Sequence, residues 1–269
     1  MKLHCLSAAI TALLLTVSAS AASAAPVCTL LTDVATGKSL SETGDCDRPN
    51  SPASTFKIAL NLMGFDSGIL TDAKTPTWPY DPSYQTSMEV WKVPTDPTYW
   101  LAKSVVWYSQ RLTQRLGMET FATYIQRFHY GNQDLSGDPG KNNGLTHAWL
   151  SSSLRISPSE QASFLRKILT RQLQISTQAI DLTEQIMPVT ELANGWRLHG
   201  KTGTGNAARS DGSLDRDRQF GWFVGWVEKG NRRIVFVHLL QDEKKETVAG
   251  GLRARDAVIG MLPAMLDKL

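Results

Sequence analysis

The chain has 269 residues, of which 42% are hydrophobic and 20% charged, and a formal net charge of +3. This balance argues against bulk nucleic-acid binding, because the basic runs are mixed with acids, as in 215–218 and 243–246. After the first two dozen residues, no stretch approaches 18 continuous apolar residues, so the sequence predicts no membrane anchor in the mature chain.

The N-terminal stretch is typical of a secretory signal peptide. Met1-Lys2 supplies one positive charge, the apolar run 6–17 is too short to span a bilayer, and Ala22-Ser23-Ala24 fits a small-residue cleavage site. Residues 1–24 are therefore expected to be removed during secretion across the inner membrane to the periplasm.

Two cysteines remain in the mature chain. Cys28 and Cys46 are an even pair in an oxidising compartment, which favours a disulfide between them. The alternative is two buried free thiols. Neither cysteine lies in a nucleophile motif, so a catalytic cysteine is not expected.

The predicted elements begin with a hairpin over 27–40, with its turn at Thr36 to Lys38. A helix follows from Ser54 to Phe65, and Gly68 ends it. Residues 71–97 are rich in Pro, Asp and Tyr and are predicted to be irregular.

The middle of the chain is predicted to be helical. Gly117 separates a helix pair from the next helix, and the Gly- and Asn-rich stretch 133–144 is a loop. Ser157 can cap a helix, Pro158 fits its first position, and Glu160 completes a capping box. The helical ranges are 100–116, 119–128, 157–170 and 176–187.

The pattern then changes to strands at 196–201, 219–228 and 232–241, the last two joined at Gly230-Asn231. A closing amphipathic helix covers 251–266, and Pro263 is a candidate kink. Its predicted apolar stripe consists of Leu252, Val258, Met261, Leu262 and Met265.

This order predicts an α+β fold. An antiparallel sheet flanked by helices is built from both termini, and an all-helical domain is inserted between them. The expected limits are 25–60 with 190–269 for the sheet-containing domain and 61–189 for the helical domain. The active site is expected between the two.

Ser54-x-x-Lys57, followed at long range by Lys201-Thr202-Gly203, is the skeleton of penicillin-interacting serine enzymes. A serine hydroxyl becomes a good nucleophile when a base takes its proton, and a neutral lysine in a dry pocket can do so. Ser104 is a second hydroxyl that could pass a proton to a leaving nitrogen. Taken singly, each motif also fits an ordinary helix-start serine or surface lysine.

The motifs together resemble the class D serine β-lactamases, the oxacillinase type, over essentially the whole mature chain. The Gly221–Trp226 stretch resembles that family's penultimate strand, and Gly251-Leu252-Arg253 resembles its carboxylate-binding segment. The ordered motifs that carry the resemblance are Ser54-Thr55-Phe56-Lys57, Ser104-x-Val106, Tyr130-Gly131-Asn132, Trp149-Leu150 and Lys201-Thr202-Gly203.

The resemblance implies the chemistry of the site. Ser54 matches the acylated nucleophile, and Lys57 matches a lysine carboxylated by carbon dioxide to N6-carboxylysine, the general base for acylation and deacylation. Trp149 matches the residue whose indole N–H holds that carbamate, between apolar walls at Val106 and Leu150.

The resemblance also implies how the substrate is bound. Ser104 matches the proton shuttle to the lactam nitrogen, and Lys201 assists it electrostatically. The backbone N–H groups of Ser54 and Thr204 are expected to form the oxyanion hole. The substrate-binding residues are Thr202, Gly203 and Arg253, together with Val106 and Leu150.

The expected partners are small β-lactams, with no cofactor beyond carbon dioxide or bicarbonate. Oligomeric state is left open. A metal site is not expected, because the mature histidines lack ligand spacing. These are His129, His147, His199 and His238.

Two alternatives share the Ser-x-x-Lys and Lys-Thr-Gly motifs. One is a peptidoglycan transpeptidase or carboxypeptidase, and the other is a β-lactam sensor domain that is acylated and stops. Both are expected to carry a membrane anchor. Repeated turnover separates a β-lactamase from either.

Overall fold

The fold is built around a six-stranded antiparallel sheet. A computed structural model describes residues 25–84, 86–209, 211 and 213–269, so the predicted signal peptide lies outside the described residues. The strand order is β2-β1-β6-β5-β4-β3. The strands are β1 Ala25–Asp33, β2 Ser39–Gly44, β3 Val189–Glu191, β4 Arg197–Ala208, β5 Leu214–Lys229 and β6 Arg232–Gln241.

The predicted α+β architecture is confirmed. β1 from the start of the chain pairs with β6 from near its end, so both termini build the centre of one sheet. The helices are α1 Lys57–Asp66, α2 Pro97–Lys103, α3 Val106–Phe128, α4 Gly144–His147, α5 Pro158–Leu169, α6 Thr177–Ile186 and α7 Gly250–Leu266. In the described part of the chain, none of these helices is both long and apolar enough to cross a bilayer.

The two faces of the sheet carry separate hydrophobic cores. Side chains alternate along a strand, so Phe223 and Val227 of β5 pack with Val258 and Leu262 of α7. Trp222 of β5 points to the other face, into the larger core shared with α1, α3 and α5. The predicted active-site segments around Phe56 and Trp149 lie on this face, opposite α7.

Several local predictions are confirmed. Glu160 donates its backbone N–H to the Ser157 hydroxyl at 3.2 Å, and Ser157 donates its backbone N–H to the Glu160 carboxylate at 2.7 Å, which completes the capping box of α5. Lys229 pairs with Arg232, so Gly230-Asn231 is a two-residue hairpin turn. The boundary between two domains at residues 60 and 190 stays a prediction.

Other local predictions need correction. Ser54 lies in a 3-10 turn over Ala53–Phe56 that precedes α1. Ser104 ends α2 in a left-handed conformation, with φ of 58°, because the chain must turn sharply into α3. The predicted break at Gly117 is confirmed, because its φ of 73° and ψ of 159° are non-helical and divide the span of α3 at a kink.

The C-terminal helix also differs in detail. Leu252 is 41% exposed, so it does not belong to the buried stripe. The buried face begins with Gly250 and Gly251, because the helix starts against the backbone of Gly221 and Gly203 and leaves no room for a side chain. Pro263, the candidate kink, lies inside the helix and does not end it, because α7 continues to Leu266.

Candidate active site

The nucleophile turn is held closely against strand β4. A Cβ on Gly203 would come within 3.0 Å of the Pro52 carbonyl oxygen and 3.2 Å of the Thr55 nitrogen. Thr55 also donates its hydroxyl to Pro52 O at 2.7 Å and accepts from the Gln161 side-chain amide at 2.9 Å. The turn that carries Ser54 is thus fixed to both the sheet and α5.

Lys57 is the first residue of α1 and is fully buried. Its Nζ lies 3.2 Å from the Ser54 Oγ. Burial, reinforced by the nearby positive charge of Lys201, holds the pKa of Lys57 well below its ordinary value. A neutral amine in hydrogen-bond contact with a hydroxyl can act as its base.

Trp149 is fully buried, and its indole Nε1 has no hydrogen-bond partner among the described residues. Its ring packs against Phe56 and Phe121, with ring centroids 5.4 and 6.3 Å away. A buried donor without an acceptor is costly, so this N–H is free to donate to a group introduced beside it. A buried neutral amine on Lys57 together with a free indole N–H fits a carbamate.

Val106 and Leu150, the predicted apolar walls, line one cavity of about 350 Å³. Val106 is the first residue of α3, and Leu150 directly follows Trp149. Aromatic and polar side chains complete the lining, including Tyr84, Trp91, Trp107, Gln110 and His147.

Ser104 and Lys201 form the second pair of the site. Lys201 donates from Nζ to the Ser104 hydroxyl and to the Thr202 carbonyl at 3.0 Å. Burial lowers the pKa of Lys201 to about 7. Both protonation states are therefore accessible near neutral pH, which suits proton exchange with Ser104.

Strand β4 presents an edge beside the nucleophile turn. It pairs with β5 from Arg197 to Ala208, whereas β3 covers only the first three of these residues. The Thr204 hydroxyl accepts from the Gly251 backbone N–H at 2.8 Å, so its side chain is engaged by α7. Gly203 places this strand beside the nucleophile turn, as an oxyanion hole shared by the two segments requires. The oxyanion role of the Ser54 and Thr204 backbone N–H groups stays a prediction.

Arg253 is held in an ion pair with Asp242. Its Nη2 lies 2.6 Å from the Asp242 carboxylate, which is only 1% exposed, and its Nε donates to the Val248 carbonyl at 2.9 Å. Thr202 instead lines a cavity of about 190 Å³ that also includes Lys201, Leu252 and Arg255. The structure therefore gives Arg253 a protein partner that sequence reasoning missed.

The two predicted cysteines form a covalent bond. Cys28 of β1 and Cys46 are joined by a disulfide, with Cα atoms 5.0 Å apart. The described ranges contain no group of three or more His, Cys, Asp or Glu side chains that could hold a metal ion.

Sequence reasoning also missed Ser51 and Gln161, which support the nucleophile turn. A hydroxyl three residues before Ser54 is the only local signal for Ser51. Gln161 has none, because its contact with Thr55 spans 106 residues.

Comparison with known proteins agrees with this geometry. Residues 27–260 match the penicillin binding protein transpeptidase domain family. The chain is 45% identical over 246 residues to β-lactamase OXA-9 of Klebsiella pneumoniae, covering 89% of this chain and 88% of that protein.

Solved structures show the same relationship. The crystal structure of the class D β-lactamase OXA-427 matches with a TM-score of 0.84 and 49% identity, covering 90% of this chain and 98% of that one. The C-terminal domain of the Bacillus licheniformis BlaR penicillin-receptor matches with a TM-score of 0.75 and 27% identity, covering 88% and 89%. The chain therefore belongs to the penicillin-binding transpeptidase-domain family and, within it, to the class D serine β-lactamases.

Proposed function

We propose that the protein hydrolyses β-lactam antibiotics through an acyl-enzyme on Ser54, with Lys57 as the base. The observation that carries this proposal is the contact of 3.2 Å between the Nζ of fully buried Lys57 and the Oγ of half-buried Ser54. Nucleophile and base within hydrogen-bond reach are the signature of covalent catalysis.

In acylation, the Ser54 oxygen attacks the lactam carbonyl carbon while its proton passes to the base at Lys57. The carbonyl oxygen becomes negative and is stabilised by the backbone N–H groups of Ser54 and Thr204. The carbon–nitrogen bond of the ring then breaks, and Ser104 gives a proton to the departing nitrogen. Lys201, which donates to Ser104, replaces that proton.

After acylation, the base at Lys57 loses its added proton to solvent and Lys201 regains one from solvent. In deacylation, a water attacks the ester carbonyl and the base at Lys57 takes its proton. The Ser54 oxygen then leaves and takes that proton from the base, which returns the free enzyme. When Lys57 is carboxylated by carbon dioxide, a carbamate oxygen supplies this basic atom. The Trp149 indole N–H would hold it, since that donor is buried and has no partner in the part of the chain that the structure describes.

Substrate binding is proposed in a groove beside the nucleophile turn. Gly203 packs against this turn and Thr202 precedes it on β4, whereas Val106 and Leu150 line a separate cavity of about 350 Å³. For Arg253, Nε and Nη2 have partners among the described residues, which leaves Nη1 to donate to a substrate carboxylate. The helical region 61–189 would then form one wall of this groove and the sheet-containing region the other.

We also infer that residues 1–24 are removed on secretion and that the mature protein acts in the periplasm. The small-residue site at Ala22-Ser23-Ala24 and the Cys28–Cys46 disulfide support this, because disulfides persist in oxidising compartments. Mass spectrometry of the secreted protein should give an N-terminus at Ala25, and an intact leader would contradict it.

The test is hydrolysis of a chromogenic cephalosporin by residues 25–269, in degassed buffer and with added bicarbonate. Sustained turnover that rises with bicarbonate is expected, and Ser54→Ala should show none. Turnover that is insensitive to bicarbonate would remove the carbamate from the mechanism while leaving the Ser54 hydrolase in place.

A β-lactam receptor is the second candidate, favoured by the structural likeness to the BlaR receptor domain. Such a protein is acylated once and does not release product. A single stoichiometric burst, with an ester on Ser54 detected by mass spectrometry, would support the receptor and exclude the hydrolase.

A further inference from the structure

Ser51 lies three residues before Ser54, and it is only 2% exposed. Its hydroxyl donates to the Trp149 carbonyl at 2.9 Å and accepts from the Ser151 backbone N–H at 3.0 Å. One buried hydroxyl therefore spans the segment Trp149 to Ser151 and ties it to the nucleophile turn. The two segments are about 100 residues apart in sequence.

The backbone of Ser51 is fixed as well. Its carbonyl accepts from the indole Nε1 of Trp222 on β5 at 2.9 Å, and its N–H donates to the Asn50 side chain at 2.9 Å. Trp222 is fully buried in the sheet. Ser51 is thus anchored to a buried residue of the central sheet, which fixes the position of its hydroxyl.

The segment that Ser51 holds contains two residues of the proposed base site. The Trp149 ring packs on Phe56, two residues after Ser54, which fixes the ring but leaves its backbone to be set by other contacts. Leu150 lies between the two backbone groups that Ser51 binds. Any shift of this segment moves the indole donor relative to Lys57.

The same segment is strained and is connected to β4. Ser151 has φ of 56°, in the left-handed region that non-glycine residues seldom adopt. Its hydroxyl accepts from the Asn206 backbone N–H at 3.1 Å. A strained conformation persists only where surrounding contacts specify it, and the Ser51 hydroxyl is one of these contacts.

We propose that Ser51 is a positioning residue: its hydroxyl fixes the Trp149–Ser151 segment so that the Trp149 indole N–H is set to hold the carboxylated form of Lys57. This inference rests on the proposed function, because it concerns carbon dioxide binding at Lys57. Because Ser51 is buried and its hydroxyl is already engaged by Trp149 and Ser151, its loss should weaken carboxylation and leave substrate binding unchanged.

The test compares Ser51→Ala with the unmodified protein in a titration with ¹³C-labelled bicarbonate, in which the carbamate resonance is followed by NMR. Loss of two hydrogen bonds should raise the bicarbonate concentration for half-carboxylation about tenfold. In steady-state assays, kcat at low bicarbonate should fall and recover at high bicarbonate, with KM within about twofold.

Thr113→Val is the matched control. Thr113 is fully buried on α3, and among the described residues its hydroxyl bonds only to carbonyls of its own helix. Its half-carboxylation concentration should equal that of the unmodified protein. If Ser51→Ala does not fold, Ser51→Cys is tested instead. A thiol is similar in size to a hydroxyl but forms only weak hydrogen bonds, so the same shift in the titration is expected.

The outcomes separate this inference from the function on which it rests. A carbamate resonance in the unmodified protein with an unchanged titration in Ser51→Ala would overturn the role of Ser51 alone. If the unmodified protein gives no carbamate resonance at any bicarbonate concentration, the carboxylation of Lys57 fails, and the role of Ser51 fails with it.

Discussion

Lys57 Nζ lies 3.2 Å from Ser54 Oγ, and the lysine has no solvent exposure. In water a lysine would be an ammonium at neutral pH and could not accept a proton. Here burial lowers its pKa, so the residue three positions after the nucleophile becomes a base. A 3-10 turn leading into α1 is sufficient to place the two side chains together.

Lys57→Ala should remove β-lactamase turnover. The general base acts in both half-reactions, so kcat/KM should fall by about 10²- to 10⁴-fold or more, and bicarbonate should not restore it. Steady-state hydrolysis of a chromogenic cephalosporin measures the effect. Lys268→Ala, at an exposed position, is the control and should retain full activity. Near-normal turnover by Lys57→Ala would exclude this residue as the base.

Lys201 should make stability depend on pH. Burial lowers its folded-state pKa to about 7, whereas in the unfolded chain it returns to about 10.4. Between these values the unfolded state binds more protons, so the free energy of unfolding rises with pH; below pH 7 both states are protonated and the contribution is constant.

Lys201→Met removes this group but keeps an unbranched side chain. The slope of unfolding free energy against pH, from urea unfolding between pH 7 and 10, should fall by up to about 1.4 kcal/mol per pH unit. The exposed Lys268→Met is the control and should keep the slope of the unmodified protein. Equal slopes for Lys201→Met and the unmodified protein would contradict a lowered pKa at Lys201.

Periodicity predicted much of the fold but not its full extent. The capping box at Ser157 and the two-residue turn at Gly230-Asn231 are local signals, and both predictions are confirmed. β4 extends seven residues beyond the predicted end at Lys201, through a Gly- and Thr-rich stretch without apolar alternation. Its strand conformation there is set by pairing with β5, which local sequence does not encode.

The site residues likewise fall into those that local spacing brings together and those that only the fold brings together. Ser54 and Lys57 are three residues apart, so spacing alone brings them together once a helical turn forms. Ser104 and Lys201 are 97 residues apart, and their contact became an expectation only through resemblance to a family. The Asp242–Arg253 ion pair could not be predicted, because neither residue's local pattern shows that Asp242 is buried.

The Cys28–Cys46 disulfide should contribute to stability and not to catalysis. The bond closes a loop with a sequence separation of 18 residues, which corresponds to about 3 kcal/mol in the chain-entropy model. The double variant Cys28→Ser/Cys46→Ser should lose roughly 5–10 °C in Tm. Its kcat/KM at 25 °C should stay within about twofold.

Thiol titration of the unreduced, denatured protein checks the bond directly. The mature protein should give no reactive thiol before reduction and two afterwards. Two reactive thiols before reduction would show that the pair is free in solution, and the stability loss would then have to come from packing at Cys28, which is fully buried.

Arg253 and Arg255 should differ in how much their ion pairs contribute to stability. Arg253 is paired with a carboxylate that is 1% exposed, whereas Arg255 pairs with Asp256, whose side chain is 60% exposed. Arg253→Ala should therefore lower the unfolding free energy, by less than the 3–5 kcal/mol typical of a fully buried pair because Arg253 is 20% exposed. Arg255→Ala should change stability by under about 1 kcal/mol.

KM for a penicillin separates structural support from carboxylate recognition. Arg253→Ala should raise KM if Nη1 binds the substrate carboxylate, and Arg255→Ala should leave it unchanged. The double variant Arg253→Ala/Asp242→Ala removes the unpaired buried charge, so it should recover stability but keep the raised KM. The reverse result, a raised KM only in Arg255→Ala, would assign the carboxylate to the cavity that Arg255 shares with Thr202, and would leave Arg253 with a purely structural role.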